Sequence, residues 1–280
     1  MRYFLLFLLA VAAPAQPKDE WRTPFPAHRI AGNVYYVGTY DLACFLITTP
    51  QGNILINTGI DGSAPLIRAS VESLGFKVED TKILLTTQAH NDHVAGMAEM
   101  KRMTGAKLLA TDGDAPILED GGKSDYLWTD PKYRFDPVKV DGRIKDGQII
   151  SLGGTDLTVY SHPGHTRGSA SYGLTVAENG RNYRVLIANM GSINPGTVLI
   201  GNKKYPQIAD DYARTFREQK KLECDIFLSS HASQYSLHEK WKPGQAYSPD
   251  TFVDPEGYKA AVARQEAAYF QWLAKEKGSH

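Results

Sequence analysis

Cysteine is scarce in this sequence: only Cys44 and Cys224 occur in 280 residues. Two cysteines cannot build a disulfide framework, and their spacing excludes a cysteine-rich zinc finger. An excess of one charge is also missing. Lys plus Arg and Asp plus Glu both number 31, for a formal net charge of zero. Nothing therefore provides the electrostatic footprint that nucleic acid or anionic lipid would need. Beyond the first residues, no apolar segment approaches the ~18 residues of a membrane-spanning helix. No linker, charge block or low-complexity stretch interrupts the chain. A composition 42% hydrophobic and 22% charged is that of an ordinary globular protein, not of a disordered tail, a collagen repeat or a disulfide miniprotein.

The N-terminus has a pattern of its own. Arg2 precedes an apolar run from Tyr3 to Ala13, and Ala13-Pro14-Ala15 follows. A positive charge, a short apolar stretch and a small-residue exit describe a secretory signal peptide over residues 1–15. Cleavage after Ala15 would remove Arg2 and no acid, leaving 30 basic against 31 acidic residues in a domain spanning 16–280. The expected product is a soluble periplasmic or secreted monomer.

Short apolar segments bounded by turn residues predict strands at Val34–Gly38, Cys44–Thr48, Asn53–Asn57, Lys82–Thr86 and Lys107–Ala110. A second series falls at Gln148–Leu152, Leu157–Ser161, Ala170–Leu174, Tyr183–Ile187 and Asp225–Leu228. Helical spacing predicts helices over Ala64–Leu74, Val94–Met103, Ala115–Asp120, Tyr205–Lys221 and Tyr258–Lys275. Gly121–Gly142 is polar with aromatics and reads as a long surface loop. Strands and helices thus recur twice in similar order. That predicts a single α/β domain in which two sheets carry helices on their outer faces, a four-layer αββα sandwich.

Histidine carries the chemistry. Gln88-Ala89-His90-Asn91-Asp92-His93 follows a predicted strand and opens a predicted helix. Two imidazoles and a carboxylate within four residues are the ligand types that zinc prefers. His165, in His162-Pro163-Gly164-His165-Thr166, and His231, in Ser229-Ser230-His231, also follow predicted strands. Three such loops at strand ends can meet at one edge of a two-sheet sandwich, where a rigid scaffold can hold a metal. The other histidines read differently. His162 and His238 are expected to be structural, and His28 and His280 to be exposed near the termini.

On these motifs the chain resembles the metallo-β-lactamase superfamily over essentially its whole mature length. The superfamily's H-x-H-x-D-H motif stands here as Gln88-x-His90-x-Asp92-His93, with Gln in place of the first His. Pro163-Gly164-His165-Thr166 with Gly168-Ser169 matches a second motif, and His231 the last. Thr86-Thr87-Gln88-Ala89-His90, Val185-Leu186-Ile187-Ala188-Asn189-Met190 and Ser230-His231-Ala232-Ser233-Gln234 are similar to subclass B3, in particular its Gln-bearing, GOB-type branch. The resemblance implies one or two zinc ions, with Gln88, His90 and His165 holding the first and Asp92, His93 and His231 the second. It also implies a β-lactam antibiotic as substrate, opened by a zinc-bound hydroxide that Asp92 orients, with Ser192 binding the substrate carboxylate and the loop Gly121–Gly142 a candidate wall over the substrate. Asn57 stands where many members carry Asp and is expected to be a buried orienting residue, and Met190 a packing residue. The disulfide common in the subclass needs a cysteine after Cys224. None follows, so free, buried thiols are expected. Lactonases and thioesterases of the superfamily often place a metal-bridging Asp where this chain has Ala188-Asn189-Met190. Another hydrolase of the superfamily, or a zinc-binding protein without catalysis, remains the alternative.

Overall fold

The structure is a computed structural model that describes residues 19–278. The expected signal segment, residues 1–15, and His280 lie outside the described residues. Among those residues the first sheet contains β1 (His28–Ala31), β2 (Val34–Tyr36), β3 (Phe45–Thr49), β4 (Gly52–Ile56), β5 (Thr81–Leu85), β6 (Lys107–Thr111) and β7 (Gly142–Ile144), side by side in that order. Its first four strands are antiparallel and the rest run parallel. The second sheet has β8 (Ile149–Leu152), β9 (Thr155–Ser161), β10 (Ala170–Glu178), β11 (Arg181–Ala188) and β12 (Ile226–Ser229). Only its β11–β12 pair is parallel.

The central strands have two buried faces. On β3 and β4, Phe45, Ile47, Ile54 and Ile56 point to the core between the sheets, where Val159, Tyr172, Val185 and Ile187 meet them. The alternate residues Leu46 and Leu55 join Leu84 and Leu108 on the outer face. Helices α1 (Ser63–Ser73), α2 (Asn91–Val94), α3 (Met97–Thr104) and α4 (Ala115–Asp120) lie along the first half of the chain. Ile67 and Val71 of α1 and Met97 and Met100 of α3 cover the outer face of the first sheet. Helix α5 (Ile208–Gln219) buries Ile208, Tyr212, Phe216 and Gln219, one stripe at helical spacing. Short α6 (Leu237–Lys240) precedes α7 (Pro255–Lys277), and α5 and α7 pack together, with Tyr212 and Phe216 about 6 Å from Tyr269. The fold is the expected α/β sandwich of two sheets and outer helices.

Four expectations are corrected. The helix expected over Val94–Met103 is split between α2 and α3, because the chain passes too close to the turn after β4. A Cβ on Gly96 would lie 2.5 Å from the carbonyl oxygen of Thr58. β1 and β7 were not legible, being short and without a sustained alternation. The segment 121–142 is not simply a surface loop, since Asp125, Tyr126, Val138 and Val140 are buried. His28 is buried, not exposed. Its ring stacks on Trp241 at 3.8 Å, its Nδ1 lies 2.9 Å from the Pro26 carbonyl, and burial pushes its pKa down to about 4. Cys44 and Cys224 are free and buried, as expected, and burial pushes both thiols up to about 12.

Candidate metal centre and its cleft

Four loops meet at one edge of the sandwich, after β5, β9, β11 and β12. They bring Gln88, His90, Asp92, His165, Ser192 and His231 to a single cleft of about 350 Å³. The loop after β5 is held from below by Asn57. This residue adopts φ +65°, a left-handed conformation that Asn tolerates better than most side chains. Its Oδ1 accepts from the Thr87 backbone N–H at 2.9 Å and from the Thr86 and Thr87 hydroxyls at 3.1 and 3.2 Å. Its Nδ2 donates to the Ala43 carbonyl at 3.3 Å. The chain then turns through Gln88 and His90 into α2.

One cluster is formed by Asp92, His93 and His231, whose ligand atoms all lie within 4.8 Å of one another. The Asp92 Oδ2 is 3.1 Å from His93 Nε2 and 3.4 Å from His231 Nε2. His231 is oriented from behind. Its Nδ1 donates to Asp41 Oδ2 at 2.8 Å, while Asp41 Oδ1 accepts from the Ser233 N–H at 3.0 Å. Burial works against the charges on Asp41 and Asp92, but their histidine partners outweigh it. Asp41 is lowered to about 2 and Asp92 is held well below the usual carboxylate range. Burial also opposes a charge on His231, yet Asp41 and Asp92 together raise it to about 9. His93 has no such second partner, and burial lowers it.

The His90 and His165 rings lie 4.7 Å apart and form the other cluster, and Gln88 lines the same cleft. His165 Nδ1 lies 2.6 Å from the Ser192 carbonyl. A carbonyl only accepts, so Nδ1 carries the proton and Nε2 is left as a bare lone pair. Ser192's carbonyl also accepts from the Tyr212 hydroxyl at 3.0 Å, and the Tyr126 hydroxyl reaches the Gly164 and His165 carbonyls. Burial lowers His165 to about 3, so it stays neutral and able to ligate. His90 Nε2 faces Asp125 Oδ2 at 3.4 Å. Burial pushes His90 down, but Asp125, with Asp92 and Asp114, outweighs it and the ring is raised. Asp114, next to the first turn of α4, braces the His165 loop by accepting from the Thr166 hydroxyl and the Gly168 N–H, both at 2.9 Å.

The donor set fits a metal. Buried polar atoms are almost always paired, yet Gln88 Oε1 and both ring nitrogens of His93 have no hydrogen-bond partner. Imidazole and carboxylate are ligands that zinc prefers, and an amide oxygen is a weaker donor to it. Each histidine whose far nitrogen is tied to a carboxylate or carbonyl has the support that metal-ligating histidines usually have.

Asp41, Asp114 and Asp125 were missed by sequence reasoning, as was Trp21, whereas Trp128 and Tyr133 belong to the loop 121–142 that was expected to wall the substrate, and both line the cleft. None belongs to a motif; a polar loop with aromatics at 121–142 was the only available signal. His162 and His238 are structural, as expected. His162 Nδ1 lies 2.7 Å from the Ser171 hydroxyl, and His238 Nε2 lies 2.8 Å from the Tyr40 carbonyl. Met190 is packed in the core. Asn189 Nδ2 donates to the Thr87 carbonyl at 3.1 Å, tying the β11 exit to the β5 exit with no carboxylate between them.

Comparison with known proteins places this architecture. The family model described as the metallo-beta-lactamase superfamily matches residues 38–178. The metallo-β-lactamase GOB-18 from Elizabethkingia meningoseptica superposes with a TM-score of 0.89 at 45% identity, over 96% of this chain and 100% of that one. The class B3 di-zinc metallo-β-lactamase LRA-12 from an Alaskan soil metagenome does so with a TM-score of 0.89 at 48% identity, over 94% and 100%. A curated hydroxyacylglutathione hydrolase from Rhodopseudomonas palustris is 30% identical over 129 residues, 46% of this chain. That match spans only 41% of the relative's length. Two sheets with outer helices, ligand-bearing loops gathered at one edge and near-complete overlap with such structures lead to one assignment: the chain belongs to the metallo-β-lactamase superfamily.

Proposed function

We propose that this protein is a zinc-dependent β-lactamase that hydrolyses the strained amide of penicillins, cephalosporins and carbapenems. The observation that carries the reading is the convergence of two ligand sets, Gln88/His90/His165 and Asp92/His93/His231, on one cleft. Each set would hold one zinc ion. Bound zinc supplies Lewis acidity, which polarises a carbonyl and lowers the pKa of water to about 7.

The chain's own residues do the rest. Asp92 stays ionised, so its carboxylate can accept a hydrogen bond from the attacking water and aim it. Trp21 on one side and Trp128 with Tyr133 on the other wall the cleft and exclude bulk water around the reacting amide. The cleft lining includes no Lys or Arg, so the substrate carboxylate is met by neutral donors, with Ser192 the residue assigned to it. No covalent acyl-enzyme is required, and no Ser-x-x-Lys motif occurs in the sequence. The N-terminal pattern supports export to the periplasm, and we propose a monomer.

A thioesterase reading draws on the names of the curated relatives. It is disfavoured by Asn189, which occupies the β11 exit where many such enzymes carry a bridging carboxylate. The test is one zinc-loaded preparation assayed on imipenem, an acyl-homoserine lactone and a glutathione thioester. Imipenem turnover that EDTA abolishes, zinc restores and clavulanate leaves untouched is expected. Turnover of only the lactone or thioester, or activity surviving metal removal, would overturn the proposal.

A further inference from the structure

We propose that Asp125 is a positioning residue that couples metal binding at His90 to the placement of the Trp128 wall. The inference rests on the reading of His90 as a ligand of the first zinc position. Asp125 divides its two oxygens between two tasks. Oδ1 accepts the Leu127 and Trp128 backbone N–H groups at 2.7 and 2.6 Å, and so holds the turn that delivers Trp128 to the cleft. Oδ2 faces His90 Nε2 at 3.4 Å, and both of these atoms are buried without an aligned hydrogen bond. The carboxylate is only 3% exposed, so water does not compete freely for it.

The unmade bond is the informative feature. With Nε2 turned to Asp125, the nitrogen left for a metal is Nδ1. Ligation at Nδ1 confines the remaining proton to Nε2 and makes it a stronger donor. A charge-assisted N–H···O bond settles at roughly 2.7–2.9 Å, about half an ångström shorter than the gap seen here. A void of about 10 Å³ bounded by His90, Asp125, Trp128 and Tyr133 leaves room for that contraction. Because the same carboxylate anchors the Trp128 N–H, the wall moves with it. Trp128 stands edge-on to His90 at 6.4 Å and packs on Tyr133 at 4.6 Å, so the shift reaches both wall rings. Coupling of this kind is reciprocal. A substrate that holds Trp128 in its contracted position would raise zinc affinity at His90.

Zinc titrations against a chromophoric chelator, followed also by tryptophan fluorescence, test the coupling on the full chain. Trp128→Phe identifies the Trp128 part of the signal, and His90→Ala identifies the zinc equivalent that needs His90. In Asp125→Asn the amide oxygen can still accept from Leu127 and Trp128, while its NH₂ group opposes His90 Nε2–H. The expected result is a loss of about 10–100-fold in affinity for that one equivalent. The zinc-dependent Trp128 signal should vanish, and the other equivalent and the unfolding midpoint of the metal-free protein should be unchanged. Wild-type affinity for both equivalents in Asp125→Asn, with one equivalent lost in His90→Ala, would overturn the coupling alone. So would a Trp128 signal that persists in His90→Ala, a result that does not depend on any Asp125 variant. Zinc binding identical in wild type and His90→Ala would overturn the ligand reading and the coupling with it.

Discussion

Replacing Asn57 with Ala and with Gly separates backbone strain from side-chain bonding beneath the candidate metal centre. Asn57 is buried and left-handed, at φ +65°. Both variants lose Oδ1, but the loss falls unevenly. The Thr86 hydroxyl also reaches the Gln88 carbonyl at 2.7 Å, and the Thr87 hydroxyl also meets the Ser230 hydroxyl at 2.8 Å. The Thr87 N–H donates to Asn57 alone and is left buried and unpaired, which costs about 1–3 kcal/mol. Alanine adds about 1–2 kcal/mol for a Cβ in the left-handed region. Glycine escapes that strain but adds about 0.5–1 kcal/mol of chain entropy. The totals are about 2–5 kcal/mol for Asn57→Ala and about 1.5–4 for Asn57→Gly. At this position Gly should therefore be the better tolerated, by about 0.5–1 kcal/mol, the reverse of its ranking in a regular helix or strand. Denaturant midpoints of the metal-free proteins at matched slopes give the comparison. An Asn57→Gly protein less stable than Asn57→Ala would refute the strain reasoning. Loss of less than about 1 kcal/mol in both would refute the role given to Oδ1.

Other expectations follow from single contacts. Asp41→Asn should weaken zinc binding at the Asp92/His93/His231 cluster by about 10–100-fold, since it removes the charge that orients His231; unchanged affinity in a chelator competition would contradict it. Gln88→His should raise zinc occupancy of the His90/His165 cluster, because imidazole is a better zinc donor than an amide oxygen; equal second-site affinity in both proteins would count against Gln88 as a weak ligand. Asp92→Ala should cost far more turnover than Ser192→Ala, whose effect should appear mainly in KM, at about 1.5–3 kcal/mol for one hydrogen bond to a charged group; comparable losses would reverse the assignments. Burial lowers the His28 pKa from its ordinary 6.5 to about 4. The unfolded chain therefore binds the extra proton first, and stability that is full above pH 6.5 is lost as pH falls toward 4. The loss amounts to roughly 3 kcal/mol, at 1.36 kcal/mol per pKa unit. Wild type and His28→Phe should differ in acid sensitivity over that window, and parallel stability curves would show that His28 is not the titrating group.

The local chemistry was legible without the fold. Alternating apolar segments marked most strands, and the residues after β5, β9 and β12 carried the histidines because a strand end is where a side chain can leave the core. Structural roles for His162 and His238 could be expected from position and type, and free thiols and a buried Asn57 from the family resemblance. Other features depended on the tertiary structure. The helix break between α2 and α3 exists because Gly96 meets the Thr58 carbonyl, 38 residues earlier in the chain, and no local propensity records that contact. His28 looked like an exposed terminal residue until Trp241, from the other end of the domain, closed over it. The orienting carboxylates were the least legible of all. Asp41 stands 190 residues from His231, and Asp125 35 from His90. A ligand can be recognised by its type and spacing, since the metal dictates both. A carboxylate that positions it needs only one oxygen within reach of one nitrogen, a condition any segment can meet once the chain has folded.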